Sequence, residues 1–359
     1  MAPIDLRSDT VTKPTEAMQE AMRRAELGDD GREGDPTVRK LEALAASKVG
    51  KQAALYLPSG TMANLCSLLT HTSRGAEVLL ERTAHIISYE NSGLSLLGGL
   101  FYRPIPGTRG AMDVTALEFA FESGLASKQL APALVCMETT HNTAGGAVLP
   151  LDHMAAVARV ARQNGAKVHL DGARIFNAAV ALGVSADKLA AHADTVCFCV
   201  SKGLSAPVGS LLCGNSAFIE RARHFRRMLG GAMRQSGLVA AAGIIALESM
   251  IERLRDDHAN ARLLAEGFHQ VDPSLVDPES IETNIVRVDI SGSGRAARRW
   301  VEELAAEGVA TSDYGRTQLR FVTHRHIGAA EVEQAVAAVR RVWERSARPA
   351  PRAVESAGA

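Results

Sequence analysis

From about residue 53 to 214 the chain alternates short apolar runs, rich in Val, Ile and Leu, with longer amphipathic stretches. The runs fall at 53–57, 77–80, 101–105, 133–137, 167–170, 195–200 and 208–213. Most are near-continuously apolar and are bounded by Gly, Pro, Ser or Asp, the pattern of strands buried on both faces. The segments between them are mostly long enough for helices. Strand and helix in alternation predict an α/β fold with a mostly parallel sheet between helices. Near Phe218 the strand signals stop. An Ala/Leu-rich stretch from 238 to about 268 predicts one or two helices leading away from the sheet. A smaller α/β unit follows, with strands at 284–290 and 319–322, a helix at 296–307 and a last helix at 330–346. The pattern divides the chain into an N-terminal arm (residues 1–25), a large domain (26–250), a small C-terminal domain (251–346) and an Ala/Pro-rich tail (347–359) expected to be disordered. No internal repeat is visible.

Composition narrows the class. Lys and Arg number 40 and Asp and Glu number 40 in the 359 residues, so no net field recruits nucleic acid or an anionic membrane. No apolar run approaches the ~18 residues of a membrane span. Asp5 and Asp9 interrupt an N-terminus that has no apolar leader, and the expectation is a cytoplasmic protein. The five cysteines are odd in number and lie in apolar contexts, which favours reduced, packed thiols. Cys197 and Cys199 alternate along a predicted strand and so share a face. No second cysteine pair or nearby histidine completes a zinc set, and no metal is expected.

Two predicted strands end abruptly on ionisable residues. Lys167-Val-His-Leu-Asp171-Gly-Ala-Arg174 is followed, 31 residues after Asp171, by Lys202 in Ser201-Lys202-Gly203. Parallel strands deliver such residues to the mouth of an α/β sheet, where they face one ligand. A carboxylate against the ring nitrogen of pyridoxal phosphate and a lysine amine for the Schiff base are the least that this cofactor's chemistry requires. The phosphate needs donors, and Ser59-Gly60-Thr61 offers them: Pro58 ends a strand, Gly60 admits close approach, and a helix beginning near Thr61 presents free N–H groups. No Walker A sequence or dinucleotide fingerprint competes. Arg320 lies within an apolar strand. Its charge must meet a carboxylate, either of the protein or of a substrate.

The order and spacing of eight segments resemble the low-specificity L-threonine aldolases: 4–14 (Ile-Asp-Leu-Arg-Ser-Asp-Thr-Val-Thr-Lys-Pro), 28–37 with Gly28-Asp-Asp30 and Gly34-Asp-Pro-Thr37, 57–64 ending in Asn64, 138–142 with His141-Asn142, 171–177, 201–203, 207–210 and 230–235. The resemblance runs from the first residues to about Arg325. It implies a pyridoxal phosphate-dependent transferase-like fold (fold type I) and an aldehyde-lyase that splits L-threonine, L-allo-threonine and related β-hydroxy-α-amino acids, reversibly, into glycine and an aldehyde. It implies catalytic roles for Lys202, Asp171, His85 and His141, with His85 stacking on the cofactor ring. Ser59, Gly60 and Thr61 would hold the phosphate. Ser8, Arg174 and Arg320 would bind the substrate carboxylate, with Arg174 also close to the cofactor. Arg227 would reach the phosphate of a neighbouring subunit, in a homo-oligomer expected to be a dimer of dimers.

Other residues read more plainly. The group Arg221, Arg223, Arg226 and Arg227 has the pattern of a solvated helix face, His169 that of a packed core residue, and His324 and His326 have no ligand-like neighbours. Two departures stand out: Gly31-Arg32-Glu33 replaces a usual Tyr-Gly, which suggests a more polar or reshaped entrance, and Ala232 replaces a third glycine. The base that takes the β-hydroxyl proton is left open among His85, His141 and water. Two alternatives accompany the aldolase reading. The same cofactor site also suits β-elimination, racemisation or transamination, which products distinguish. A non-catalytic scaffold predicts loss of Lys202 or Asp171, and both are present.

Overall fold

A computed structural model of the chain describes residues 3–126 and 132–347. The tail expected to be disordered lies outside them from residue 348 onward.

All seven predicted runs become strands of one sheet, in the spatial order Ala53–Leu57, Ser210–Gly214, Thr195–Cys199, Lys167–Asp171, Pro132–Glu138, Glu77–Glu81 and Phe101–Ile105. Neighbours are parallel except around Ser210–Gly214, which runs antiparallel to both Ala53–Leu57 and Thr195–Cys199. That strand starts two residues later than its apolar pattern suggests. Gly209 turns the chain at φ +117°, where a Cβ would lie 2.3 Å from the Tyr56 ring, so the backbone enters the ladder only at Ser210.

The two-residue period of the strands sends side chains to opposite faces. Along Lys167–Asp171, Val168 and Leu170 join a large apolar cluster with Met154, Val157 and Ala161 of the helix Leu151–Gln163. Wholly burying side chains of this size contributes ~1.5–3 kcal/mol each. His169 and Asp171 point the other way, toward Ser67 and Asn64 of the helix Gly60–His71. Ser59 caps that helix, its Oγ accepting the Met62 N–H at 3.2 Å. Asn64 and Ser67 are three residues apart and therefore share the face turned to the strand.

A second apolar cluster is built on an antiparallel sheet of Ile285–Asp289, Gln318–Val322 and Ser312–Asp313, covered by the helices Leu254–Val271, Ala297–Ala306 and Ala329–Ala347. The Ala/Leu-rich stretch is two helices, Gly237–Ser249 and Leu254–Val271. The N-terminal segment ties the two parts together. Ile4–Asp5 pairs in parallel with Val309–Ala310, and the helix Glu16–Arg23 packs on Gly237–Ser249. Leu6 is buried in the second cluster, and its carbonyl accepts the Val322 N–H at 2.8 Å. Ser8 and Asp9 are thereby set down beside the strand that carries Arg320.

Candidate active site

Asp171 ends its strand with a carboxylate only 2% exposed. Oδ2 accepts from Asn64 Nδ2 at 2.8 Å and Oδ1 from the Ala173 N–H at 3.1 Å. No cation lies within ion-pair distance of it among the described residues. Burial pushes its pKa up, but the charges of His85 and Lys202 and the Asn64 hydrogen bond outweigh that and hold the carboxyl below its usual range. Lys202 sits in the turn just past Thr195–Cys199. Its carbonyl is fixed by Thr12 Oγ1 at 2.9 Å and the Ser205 N–H at 2.8 Å. The strands that lead to Asp171 and Lys202 are parallel neighbours in the sheet.

His85 opens a short helical turn past the strand Glu77–Glu81. Its backbone N–H donates to Glu138 Oε2 at 2.7 Å and its Nδ1 bonds Glu90 Oε1 at 2.9 Å. The ring lies nearly parallel to that of Tyr89, 5.3 Å between centroids. Burial disfavours its protonation, yet Glu90, Asp171 and Glu138 together raise its pKa. His141 is placed differently. It is fully buried, with Nε2 3.3 Å from Glu81 Oε2 and 3.8 Å from Glu138 Oε2, while Nδ1 faces the Ala144 N–H at 3.3 Å. Nε2 is buried without an aligned hydrogen-bond partner among the described residues, and although burial opposes it, both carboxylates raise the pKa of the ring. The three ligand-type atoms of His85, Glu90 and Asp171 lie within 4.8 Å of one another, with the Asn64 amide bonded to both carboxylates.

The two clamp arginines differ. Arg174 is buried and its fork is engaged by Asp9, Nε to Oδ2 and Nη2 to Oδ1, both at 2.7 Å. Asn284 Nδ2 adds a third donor to Asp9 at 3.2 Å. Arg320 has no carboxylate partner among the described residues. Nη2 donates to Asn142 Oδ1 at 2.9 Å, Nη1 reaches the Arg7 carbonyl at 3.5 Å, and Nε is buried without a partner. Burial and the neighbouring Arg174 draw its pKa down to about 10 against the opposing pull of Asp9. The carboxylate that an embedded arginine requires is therefore present for Arg174 and missing for Arg320. Tyr89, stacked on His85, is 45% exposed, and the Tyr314 ring lies 4.5 Å from the Arg287 guanidinium.

At the other end, Ser59, Gly60 and Thr61 form the open N-terminus of the helix Gly60–His71. A Cβ on Gly60 would come within 3.0 Å of Cys199 Sγ, so close backbone approach there requires glycine. Ser8 caps a short 3-10 turn, its Oγ accepting the Thr10 N–H at 3.2 Å. Arg227 is exposed on Ser216–Met228 with no ion pair among the described residues. The solvated reading of its helix holds only in part: Arg226 is buried, pairs with Asp30 at 2.5 Å and donates to the Tyr56 carbonyl at 2.9 Å. Arg32 is solvent-exposed and 3.8 Å from Asp29.

Asp9, Asn64, Glu81 and Glu90 were missed as site residues. Asp9 and Asn64 stand inside segments already singled out, between Ser8 and Thr10 and at the end of 57–64. Glu90 carried no signal, because a glutamate five residues after a histidine is ordinary. His169 does more than pack: Nδ1 bonds Ser67 and Thr195, and Nε2 bonds Asn64.

The donor set fits pyridoxal phosphate. A buried carboxylate lacking a cation suits a protonated ring nitrogen, a lysine lies beside it, a flat imidazole stands nearby, and a helix N-terminus is open to an anion. A family model for beta-eliminating lyases matches residues 5–291. Low-specificity L-threonine aldolase 1 of Arabidopsis thaliana is 43% identical over 92% of this chain and 94% of its own length. The low specificity L-threonine aldolase of Escherichia coli K12 is 39% identical over 93% and 97%. Among solved structures, a threonine aldolase of Leishmania major superposes with a TM-score of 0.80 at 17% identity, covering 95% of this chain and all of that one.

Proposed function

This chain belongs to the low-specificity L-threonine aldolase family, and from that premise we infer that it is a pyridoxal phosphate-dependent lyase cleaving L-threonine to glycine and acetaldehyde. The observation that carries the reading is Arg320, a guanidinium without a protein carboxylate, in one site with Asp171 and Lys202. When bound, pyridoxal phosphate supplies the sink for the electron pair of the broken Cα–Cβ bond. Lys202 is the residue for its attachment, and Asp171 keeps the ring nitrogen protonated. Ser59, Gly60 and Thr61 hold the phosphate through free backbone donors. Arg320 binds the substrate carboxylate, with Arg174 and Ser8 beside it, and so sets which bond at Cα is cleaved.

His85 is the base we assign to the β-hydroxyl proton. With its Nδ1–H donated to Glu90 it keeps an Nε2 lone pair, whereas His141 is fully buried and its Nδ1 already accepts the Ala144 N–H. His141 then orders the carboxylates that flank the site. The low-specificity naming of its relatives supports cleavage of L-allo-threonine and bulkier β-hydroxy-α-amino acids as well.

Assembly as a homo-oligomer, with Arg227 donated to the phosphate site of a second subunit, is supported by large apolar side chains left exposed: Leu96 at 75%, Phe101 on the sheet-edge strand at 67%, Phe119 at 67% and Met228 beside Arg227 at 67%. Five buried free cysteines and the lack of any helix, among the described residues, long and apolar enough to cross a membrane support a cytoplasmic setting. The test is product identity. Incubation with L-threonine and cofactor, without added 2-oxo acid, yields glycine and acetaldehyde; 2-oxobutanoate and ammonia as main products would overturn the aldolase reading and leave the cofactor site standing.

A further inference from the structure

Two side chains that would not touch the cofactor tie together the two that would. Asn64 donates one amide hydrogen to Asp171 Oδ2 at 2.8 Å and the other to Glu90 Oε1 at 2.7 Å. The same Glu90 oxygen bonds His85 Nδ1 at 2.9 Å. The Asn64 carbonyl faces His169 Nε2 at 3.0 Å and Cys197 Sγ at 3.1 Å. An amide has two donor hydrogens and two acceptor lone pairs, and all four are used.

The amide's orientation follows from its surroundings. Burial holds the His169 pKa down at about 4, despite the pull of Asp171, so its ring is neutral and carries one proton. Its Nδ1 lies 2.9 Å from the hydroxyls of both Ser67 and Thr195, which can donate to it. The proton then sits on Nε2 and points at the Asn64 oxygen. A flipped amide would set its oxygen against two carboxylates and its hydrogens against the His169 N–H, which this arrangement forbids.

We propose that Asn64 and Glu90 are positioning residues of the pyridoxal phosphate site: Asn64 fixes the orientation of the Asp171 carboxylate that would meet the ring nitrogen, and Glu90 holds the imidazole of His85 and its proton against the same frame. The proposal rests on the reading of this site as a pyridoxal phosphate site. The charged or titratable groups around His85 are Glu90, Asp171, Glu138 and Tyr89. Glu90 alone among the acids is bonded to its ring, so it governs the proton on Nδ1. Asn64 carries no charge. Its contribution is directional, and it is lost when its two donors are replaced by acceptors.

Glu90→Gln and Asn64→Asp separate the two roles. Glu90→Gln keeps an oxygen that accepts from both Asn64 and His85 but removes the charge. The His85 ring titration, followed by NMR, moves to lower pH; the cofactor affinity of each variant is read by equilibrium dialysis with pyridoxal phosphate. Asn64→Asp turns both donors into acceptors and crowds a third carboxylate against Asp171 and Glu90. Partners behind a ligating group are typically worth ~10–100-fold, and a cofactor affinity loss of that order is expected, with circular dichroism unchanged. Asn64→Ser, which keeps one donor, recovers part of it. Parent-like cofactor affinity in Asn64→Asp, or an unmoved His85 titration in Glu90→Gln, overturns the proposal while the cofactor reading stands. A parent protein that fails to bind pyridoxal phosphate at all overturns both.

Discussion

Asp9→Asn isolates the buried ion pair that anchors the carboxylate end of the site. The substitution keeps the shape of the side chain and removes the charge gripped by Arg174 through two 2.7 Å hydrogen bonds. Both partners are almost inaccessible, with side-chain exposures of 5% and 0%. Breaking a buried pair on one side leaves an uncompensated charge and costs ~3–5 kcal/mol. At roughly 2.1 cal/mol/K per residue of unfolding entropy, a chain of this length loses about 1.3 °C per kcal/mol, so Tm falls by about 4–7 °C. Asp5→Asn is the control. Its partner Arg7 is 57% exposed, and a surface pair of that kind is worth ~0–1 kcal/mol, or about 1 °C at most. Scanning calorimetry of the cofactor-free proteins compares the three. The pH dependence has a definite sign: burial pushes the Asp9 carboxyl up, but Arg174, helped by Lys202 and Arg320, holds it well below the usual carboxylate range. The stabilisation is therefore fully present above the unfolded value near ~3.9 and is lost as pH falls toward the folded one. The gap between parent and variant stays constant from about pH 5 to 8 and narrows only below about pH 4. An Asp9→Asn protein melting within about 1 °C of the parent would refute the argument.

Lys202→Ala folds normally but loses turnover by several orders of magnitude, because it removes the covalent handle and leaves a backbone already held by Thr12 and Ser205; borohydride trapping of cofactor on a different lysine peptide would contradict this. Arg320→Lys lowers kcat/KM for L-threonine by about 10–150-fold, the worth of a charge-assisted hydrogen bond at ~1.5–3 kcal/mol, with a parallel loss in glycine binding. Arg227→Ala weakens cofactor binding; mixed with inactive Lys202→Ala it regenerates activity in hybrid oligomers, and a fully active monomer in sedimentation would rule out the shared site.

Periodicity alone located the sheet. All seven runs became strands; six are buried on both faces and need continuous hydrophobicity that few other local structures tolerate, while Phe101–Ile105 is the exposed edge. The same logic placed Asp171 and Lys202 at adjacent strand ends, since a charge that closes an apolar run emerges where the sheet does. Two strands of the small sheet were legible for the same reason, in the runs at 284–290 and 319–322; their antiparallel pairing and the third strand, Ser312–Asp313, were not. Pairing across distance was not legible. Nothing local distinguishes Asp9, which meets Arg174 from 165 residues away, from Asp5, which pairs two residues along with Arg7. The burial of Arg226 beside three more exposed arginines depends on where Asp30 and the Tyr56 carbonyl arrive. The hydrogen-bonded chain from His169 through Asn64 to Asp171 and Glu90 exists only because one helix face, one strand face and the bend at Glu90 meet there. Hydrophobic pattern is a property of each segment by itself, whereas the partner of a buried polar group is chosen by the packing of all of them.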